Sequence, residues 1–80
     1  MYHVYILASL LKDKYYIGHT ANIENRINLH NKGKVRSTKS LRPWKLVYKE
    51  VFFSKNEAYK RELKIKSYKG GEAFKKLFKK

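Results

Sequence analysis

The order of apolar and polar positions divides the chain into strand-like and helix-like segments. Residues 2–8 are apolar, β-branched and aromatic, which is typical of a central strand. A polar break at residues 12–14 separates them from a second short strand at residues 15–18. Because so few residues join these two strands, we expect an antiparallel hairpin. A third strand is predicted over residues 46–53, which are rich in Val, Phe and Tyr.

The first helix is predicted between the hairpin and the third strand. Asn22 is suited to cap its N-terminus, and Gly33 is a natural breaker after its end near Asn31. Its apolar stripe consists of Ile23 and Ile27. This stripe is narrow, so the helix is weakly amphipathic.

Two more helices are predicted after the third strand. Ser54 and Glu57 have the spacing of a capping box, in which each satisfies a backbone donor of the other, and a helix over residues 55–67 follows. Gly70 and Gly71 are expected to end that helix. A short last helix is predicted over residues 72–80, with these side chains facing inward: Phe74, Leu77 and Phe78.

The element order β-β-α-β-α-α predicts an α+β fold, with a small three-stranded antiparallel sheet flanked by helices. Eighty residues are enough for one domain, and we expect residues 1–80 to form it. A chain of this length buries only about 60% of the surface exposed when unfolded, which allows one small core. An apolar content of 42% is sufficient for that core.

Basic residues greatly outnumber acidic ones. Twenty Lys and Arg against six Asp and Glu give a formal net charge of +14. This excess opposes folding by self-repulsion, and a polyanionic partner is the simplest reason to keep it. Nucleic acid is the leading candidate and an anionic membrane the second, and charge kept only for solubility is the alternative to a polyanionic partner. The predicted loop over residues 34–45 contains no acid and five basic residues: Lys34, Arg36, Lys39, Arg42 and Lys45.

The sequence contains no cysteine, which excludes disulfides and thiolate metal sites and fits a reducing cytoplasm. The apolar run at residues 2–11 is too short to span a bilayer, and it lacks the basic start and the cleavage site of a targeting signal. We therefore expect a cytoplasmic protein that is not inserted in a membrane.

Glu62 has an unusual position for an acidic residue. With 3.6 residues per helical turn, it falls near the middle of an apolar sector on the predicted second helix. That sector is defined by Ala58, Tyr59, Leu63 and Ile65. A carboxylate that faces a core is costly unless it is paired or binds a metal. An ion pair and a metal-ligand role are both open.

Four further side chains are candidates for chemistry. Arg26 and His30 are four residues apart, so they project from one face of the first helix, at the border between core and solvent. Tyr5 and Tyr16 lie on neighbouring strands, where tyrosine is common for structural reasons. Tyr15 precedes Tyr16 directly, so its side chain points to the opposite face of the sheet, and we expect it to pack in the core. Taken singly, none of these residues indicates a function.

The sequence lacks the residues that several classes of enzyme require. No Gly-x-Ser-x-Gly turn presents a nucleophilic serine, and no glycine-rich phosphate loop is present. The three histidines lack the spacing of a zinc site. The six acids include no close pair suited to glycoside hydrolysis.

Taken together, these residues resemble the GIY-YIG nuclease domain family, and its small stand-alone members most of all. The family has a G-I-Y and a Y-I-G segment on its first two strands, which here read His3-Val4-Tyr5 and Tyr16-Ile17-Gly18. Residues 18–27 resemble the turn into the family's first helix, which carries a catalytic arginine. Residues 57–62 resemble its later helix, whose glutamate holds a metal. The resemblance extends from residue 2 to about residue 76, and His3 in place of glycine is a common variation.

The resemblance implies a metal-assisted attack of water on a phosphodiester bond. Glu62 would hold one Mg²⁺ or Mn²⁺ ion, and Arg26 would stabilise charge on the phosphate. Tyr5 would act as the general base or position the water, and Tyr16 would hydrogen-bond the phosphate or the water. His30 is the alternative base, because imidazole titrates near neutrality whereas a phenol needs nearby cations to lower its pKa.

We therefore expect a weakly sequence-specific or structure-directed endonuclease that acts on nucleic acid, with DNA the first choice, as a monomer or a weak, transient dimer. The basic loop would bind backbone phosphates, and Trp44 is open as a stacking surface or a core anchor. We expect no appended DNA-binding domain to choose the sequence. The alternatives are a basic nucleic-acid-binding module with a residual or inactive nuclease site, and a protein that binds anionic lipid.

Overall fold

The computed structural model describes residues 1–78, and it has the predicted order of strands and helices. The elements are β1 (Tyr2–Ser9), β2 (Tyr15–Thr20), α1 (Ile23–Asn31), β3 (Trp44–Phe52), α2 (Lys55–Lys66) and α3 (Glu72–Lys75). The three strands form one antiparallel sheet in the order β2-β1-β3. The predicted α+β fold is confirmed, and the most apolar strand, β1, is the central one.

Some element boundaries differ from the prediction. β2 continues past Gly18 to Thr20, and β3 begins at Trp44. The basic loop contains one turn of 3-10 helix, Lys39–Leu41. α3 ends at Lys75, because a helix this short without a side-chain cap is marginal. Residues 79–80, the end of the predicted last helix, lie outside the described residues.

Two side-chain caps fix where α1 and α2 begin. Asn22 Oδ1 accepts a hydrogen bond from the backbone N–H of Asn25 at 3.0 Å, and Ser54 Oγ accepts one from that of Glu57 at 3.2 Å. The Ser54 hydroxyl also donates to the Glu57 carboxylate, at 3.0 Å. This bond takes the place of the expected return bond to the backbone. Within residues 1–78, none of the helices has the length and apolar character needed to cross a bilayer.

The sheet separates two apolar clusters, because side chains alternate between its faces. The cluster beneath α2 and α3 has as its buried members Val4, Ile6, Ala58, Ile65 and Phe74. The cluster beneath α1 has as its buried members Tyr5, Leu7 and Trp44. Tyr15 packs in the first cluster as predicted, with its ring centroid 5.2 Å from that of Phe74.

The buried stripe of α2 is narrower than the sequence predicted. Tyr59 and Leu63 were expected to face the core, but each is 47% exposed. The buried positions are Ala58, Glu62 and Ile65, which are spaced four and three residues apart along one line of the helix. The helix therefore keeps Glu62 inward, as predicted, while it turns Tyr59 and Leu63 to the surface.

Trp44 is a core anchor, so the stacking role considered for it is wrong. Its side chain is 5% exposed, and its Nε1–H donates to the Thr38 carbonyl at 2.8 Å. Asn31 holds the Trp44 backbone on both sides, accepting from its N–H at 2.6 Å and donating to its carbonyl at 3.1 Å. These bonds tie the basic loop to the end of α1.

Candidate active site

A buried chain of hydrogen bonds runs from Tyr5 through His30 to Thr38. The Tyr5 hydroxyl lies 3.0 Å from His30 Nε2, and Nδ1 of the same ring lies 2.7 Å from Thr38 Oγ1. The Thr38 hydroxyl donates to the carbonyl of Val35 at 3.3 Å. Since Thr38 has donated its only proton, its oxygen accepts from His30 Nδ1–H, and Nε2 accepts from the Tyr5 hydroxyl.

The pKa shifts of Tyr5 and His30 agree with these directions. Burial raises the pKa of Tyr5 to about 12, so the phenol is protonated at neutral pH. Burial, together with the positive charge of Arg26, lowers the pKa of His30 to about 4, so the imidazole is neutral. Both groups are therefore neutral, as this arrangement of hydrogen bonds requires.

The prediction that His30 lies at the border of core and solvent is wrong, because its side chain is completely buried. His30 follows Ile23 and Ile27 at helical spacing, so it extends their stripe into the core. A buried imidazole needs partners for both nitrogens, and Tyr5 and Thr38 provide them.

Tyr16 and Arg26 complete this cluster. Tyr16 is on the same sheet face as Tyr5, and its ring centroid lies 6.2 Å from that of Tyr5 and 4.8 Å from that of His30. The hydroxyl of Tyr5, and more weakly that of Tyr16, stabilises the charged guanidinium of Arg26 and raises its pKa. The structure thus brings together four of the five predicted catalytic side chains.

Gly18 provides the space for both tyrosines. It is paired with Tyr5 in the register of β1 and β2. A Cβ at this position would lie 2.7 Å from the Tyr5 hydroxyl and 3.1 Å from Cε2 of Tyr16. The first distance is too short for a real contact and the second is tight, so any larger residue at position 18 would displace the Tyr5 hydroxyl.

Glu62, the fifth predicted residue, approaches from the other face of the sheet. It lies on α2 and is 7% exposed. Its Oε1 is 2.6 Å from His19 Nδ1, and its Oε2 is 2.7 Å from Lys66 Nζ. The ion pair that the sequence left open is therefore present. The negative charge of the carboxylate also makes a small contribution to the raised pKa of Tyr5, so Glu62 acts on this phenol from across β2.

A divalent cation at Glu62 would have this one carboxylate as its protein ligand. In residues 1–78, no group of three or more His, Cys, Asp and Glu side chains is arranged to hold a metal. Mg²⁺ needs few protein ligands, because waters and substrate phosphates supply the rest. The Lys66 side chain is 50% exposed, whereas that of Glu62 is only 9% exposed, so solvent reaches this i,i+4 pair from the lysine side. Lys66 can therefore turn towards solvent and release Oε2 while His19 holds Oε1.

The basic loop offers cations that are free to meet a polyanion. All five of its predicted binding residues are exposed, and none of them forms a salt bridge within residues 1–78. They are Lys34, Arg36, Lys39, Arg42 and Lys45. The same segment contains Thr38, so the loop is anchored directly beside His30.

Three partners of the site residues were missed in the sequence. Lys66 had an available signal, because it follows Glu62 at the i,i+4 spacing of helical ion pairs. His19 is 43 residues from Glu62, and Thr38 is on an irregular segment eight residues from His30. Contacts of these kinds leave no periodic pattern in a sequence.

Comparison with known proteins gives matches over almost the whole chain. A family described as the GIY-YIG catalytic domain matches residues 1–75. UPF0213 protein SH2523 of Staphylococcus haemolyticus is 46% identical over 68 residues, 84% of this chain and 82% of that protein. UPF0213 protein SSP2268 of Staphylococcus saprophyticus is 48% identical over 54 residues, 66% of each. The solution NMR structure of UPF0213 protein BH0048 from Bacillus halodurans is 32% identical with a TM-score of 0.49, covering 91% of this chain and 89% of that one.

The family match includes both tyrosine segments, α1 and α2. It therefore contains the hydrogen-bonded tyrosine cluster and the glutamate on the opposite face. The similarity to UPF0213 proteins agrees with the resemblance, noted from the sequence, to small stand-alone members of the GIY-YIG family. This chain belongs to the GIY-YIG family, a family of nuclease domains.

Proposed function

We propose that the protein is a Mg²⁺- or Mn²⁺-dependent endonuclease that hydrolyses nucleic-acid phosphodiester bonds with little sequence preference. The observation that carries this proposal is the buried contact of Tyr5 with His30 Nε2, with the guanidinium of Arg26 beside the same phenol. Packing alone does not require a phenol, a neutral imidazole and a cation at one point. In the mechanism proposed here, each of the three has a role in hydrolysis of the phosphodiester bond.

Arg26 binds the scissile phosphate in this mechanism. Its raised pKa keeps the guanidinium charged, and a charged donor stabilises the negative charge that develops in the transition state. Tyr16, whose hydroxyl also acts on Arg26, hydrogen-bonds the phosphate or the attacking water.

Tyr5 and His30 act together as the base. The water oxygen forms a bond to phosphorus while the bond to the leaving oxygen breaks. The water proton passes to the Tyr5 oxygen as the Tyr5 proton passes to His30 Nε2, and the leaving oxygen takes a proton from solvent. His30 then returns its extra proton to solvent through the Tyr5 hydroxyl. Tyr5 then never carries a full negative charge, which its raised pKa opposes. Burial is the main cause of the lowered pKa of His30, and the phosphate offsets the smaller contribution from the charge of Arg26.

Glu62 would hold the divalent ion, which supplies charge neutralisation at the phosphate. Lys66 moves away from Oε2, and His19 keeps the carboxylate oriented through Oε1. The basic loop binds backbone phosphates, so affinity falls steeply with salt and shows little dependence on sequence. We place the protein in the cytoplasm, as a monomer or a transient dimer that acts foremost on DNA.

A second candidate function is a basic nucleic-acid-binding module with an inactive site. The observation that favours it is the double engagement of Glu62, since both carboxylate oxygens have a partner within 2.7 Å. In that case the cations of the loop keep their role, and the tyrosine cluster is a structural remnant.

A nicking assay on supercoiled and branched DNA separates the two candidates. We expect cleavage with Mg²⁺ or Mn²⁺, none in EDTA, and a loss of about 10²–10³-fold or more in Glu62→Ala and Arg26→Ala. Binding in EDTA should persist in both variants. Glu72→Ala, which removes an exposed acid from α3, is the matched control and should cleave normally. Intact binding without cleavage of any DNA or RNA would favour the binding module.

A further inference from the structure

A groove beside Glu62 is not used in the mechanism above, although His19, one of its lining residues, orients the Glu62 carboxylate. It has a volume of about 550 Å³, and it is lined by His19, Lys55, Asn56 and Tyr59. This size is within the range of about 300–1,000 Å³ typical of ligand pockets. The lining combines two aromatic rings with one cation and one amide, and it includes no acid.

Tyr59 forms an exposed aromatic wall of this groove. It is 47% exposed, and its ring meets that of His19 edge-on, with centroids 5.7 Å apart. His19 is held from its other side by Glu62, at 2.6 Å. His19 is therefore held in place behind the Tyr59 ring, and this one side chain separates the groove from the carboxylate proposed to hold the metal.

We propose that this groove binds one unpaired nucleobase of the substrate, stacked on Tyr59. Lys55 contacts the adjoining phosphate, and the Asn56 amide bonds the edge of the base. The inference rests on the proposed function and narrows its substrate class to nucleic acid with unpaired nucleotides beside the cleaved bond. A base inside a duplex is stacked on both sides, so it does not reach the groove without flipping out.

The charge of the protein favours a nucleotide over an apolar peptide as the occupant. The chain carries a net charge of +14, and the charged member of the lining is a lysine. Stacking on an aromatic side chain tolerates every base, because each base has a π-face. This agrees with a nuclease that selects its target by structure.

The test measures binding in EDTA by fluorescence anisotropy with two probes of equal charge. One is a single-stranded oligothymidylate of about eight nucleotides, and the other is the same backbone with abasic sites throughout. We expect the wild-type protein to prefer the first probe by roughly 5- to 150-fold, as stacking of one base predicts. Tyr59→Ala should lose this preference without weaker binding to the abasic probe, whereas Tyr59→Phe should keep it.

Two controls separate stacking from general surface effects. Leu63→Ala changes an equally exposed residue of α2 outside the groove, and Phe53→Ala removes an exposed aromatic ring elsewhere. Both should keep the preference for bases. The proposal is overturned if the wild-type protein shows no preference for the oligothymidylate, or if Tyr59→Ala keeps this preference. It is also overturned if Tyr59→Ala weakens binding to the abasic probe as much as binding to the oligothymidylate. Because no divalent ion is present, an inactive nuclease can still pass this test, and an active one can still fail it.

Discussion

Thr38→Val tests the hydrogen-bonded chain at its far end, away from the groups that would touch the substrate. The change replaces a buried hydroxyl with a methyl group of similar size. It removes the acceptor for His30 Nδ1 at 2.7 Å and the bond to the Val35 carbonyl at 3.3 Å. A buried N–H left without an acceptor costs about 1–3 kcal/mol, and urea unfolding should show a destabilisation of this size.

The decisive readout is the tautomer of His30. Without Thr38 Oγ1, we expect the imidazole to move its proton from Nδ1 to Nε2, where it no longer accepts from the Tyr5 hydroxyl. Nitrogen-15 chemical shifts of the ring should report this change, and the nicking rate should fall by about 10²–10⁴-fold, as expected for loss of a general base. Thr38→Ser keeps an oxygen at the same position and should restore both the tautomer and the rate.

The reasoning is refuted by a Thr38→Val protein that keeps the Nδ1–H tautomer and cleaves at the wild-type rate. It is equally refuted if Thr38→Ser has the same defect as Thr38→Val. A purely structural role for Thr38 would change the unfolding midpoint without changing the ring nitrogens of His30.

Two further predictions concern the same cluster. Gly18→Ala brings a methyl group 2.7 Å from the Tyr5 hydroxyl, so unfolding should show a loss of about 1–3 kcal/mol, and wild-type stability would contradict the packing described. The pKa of His30 falls from 6.5 to about 4 on folding. As the pH is lowered, the imidazole is therefore protonated in the unfolded chain before it is protonated in the folded protein. Stability should therefore decline as pH falls from about 6.5 towards 4, and this slope should disappear in His30→Gln.

Much of the fold could be predicted because its signals are local. The apolar run of β1, the N-caps Asn22 and Ser54, and the breaker Gly33 each act within a few residues of their own position. Glu62 was placed inward correctly for the same reason, since helical spacing relates it to Ala58 and Ile65.

The rest depended on tertiary contacts that spacing does not encode. Helical spacing shows which residues share a face, but the width of the covered face depends on how the sheet meets the helix. Tyr59 is therefore exposed, and His30 is buried. Trp44, at the start of β3, is fixed by Asn31 at the end of α1 and by Thr38 on the basic loop. The role considered for Trp44, stacking with bases, is proposed instead for Tyr59.

The central claim is that Tyr5 transfers a proton between the attacking water and His30. Its most direct test is the Mg²⁺-dependent, single-turnover cleavage rate of Tyr5→Phe, a change that keeps the buried ring and removes only the hydroxyl. We predict a rate lower by about 10²–10⁴-fold, with DNA binding in EDTA unchanged. A Tyr5→Phe protein that cleaves at nearly the wild-type rate would contradict the claim.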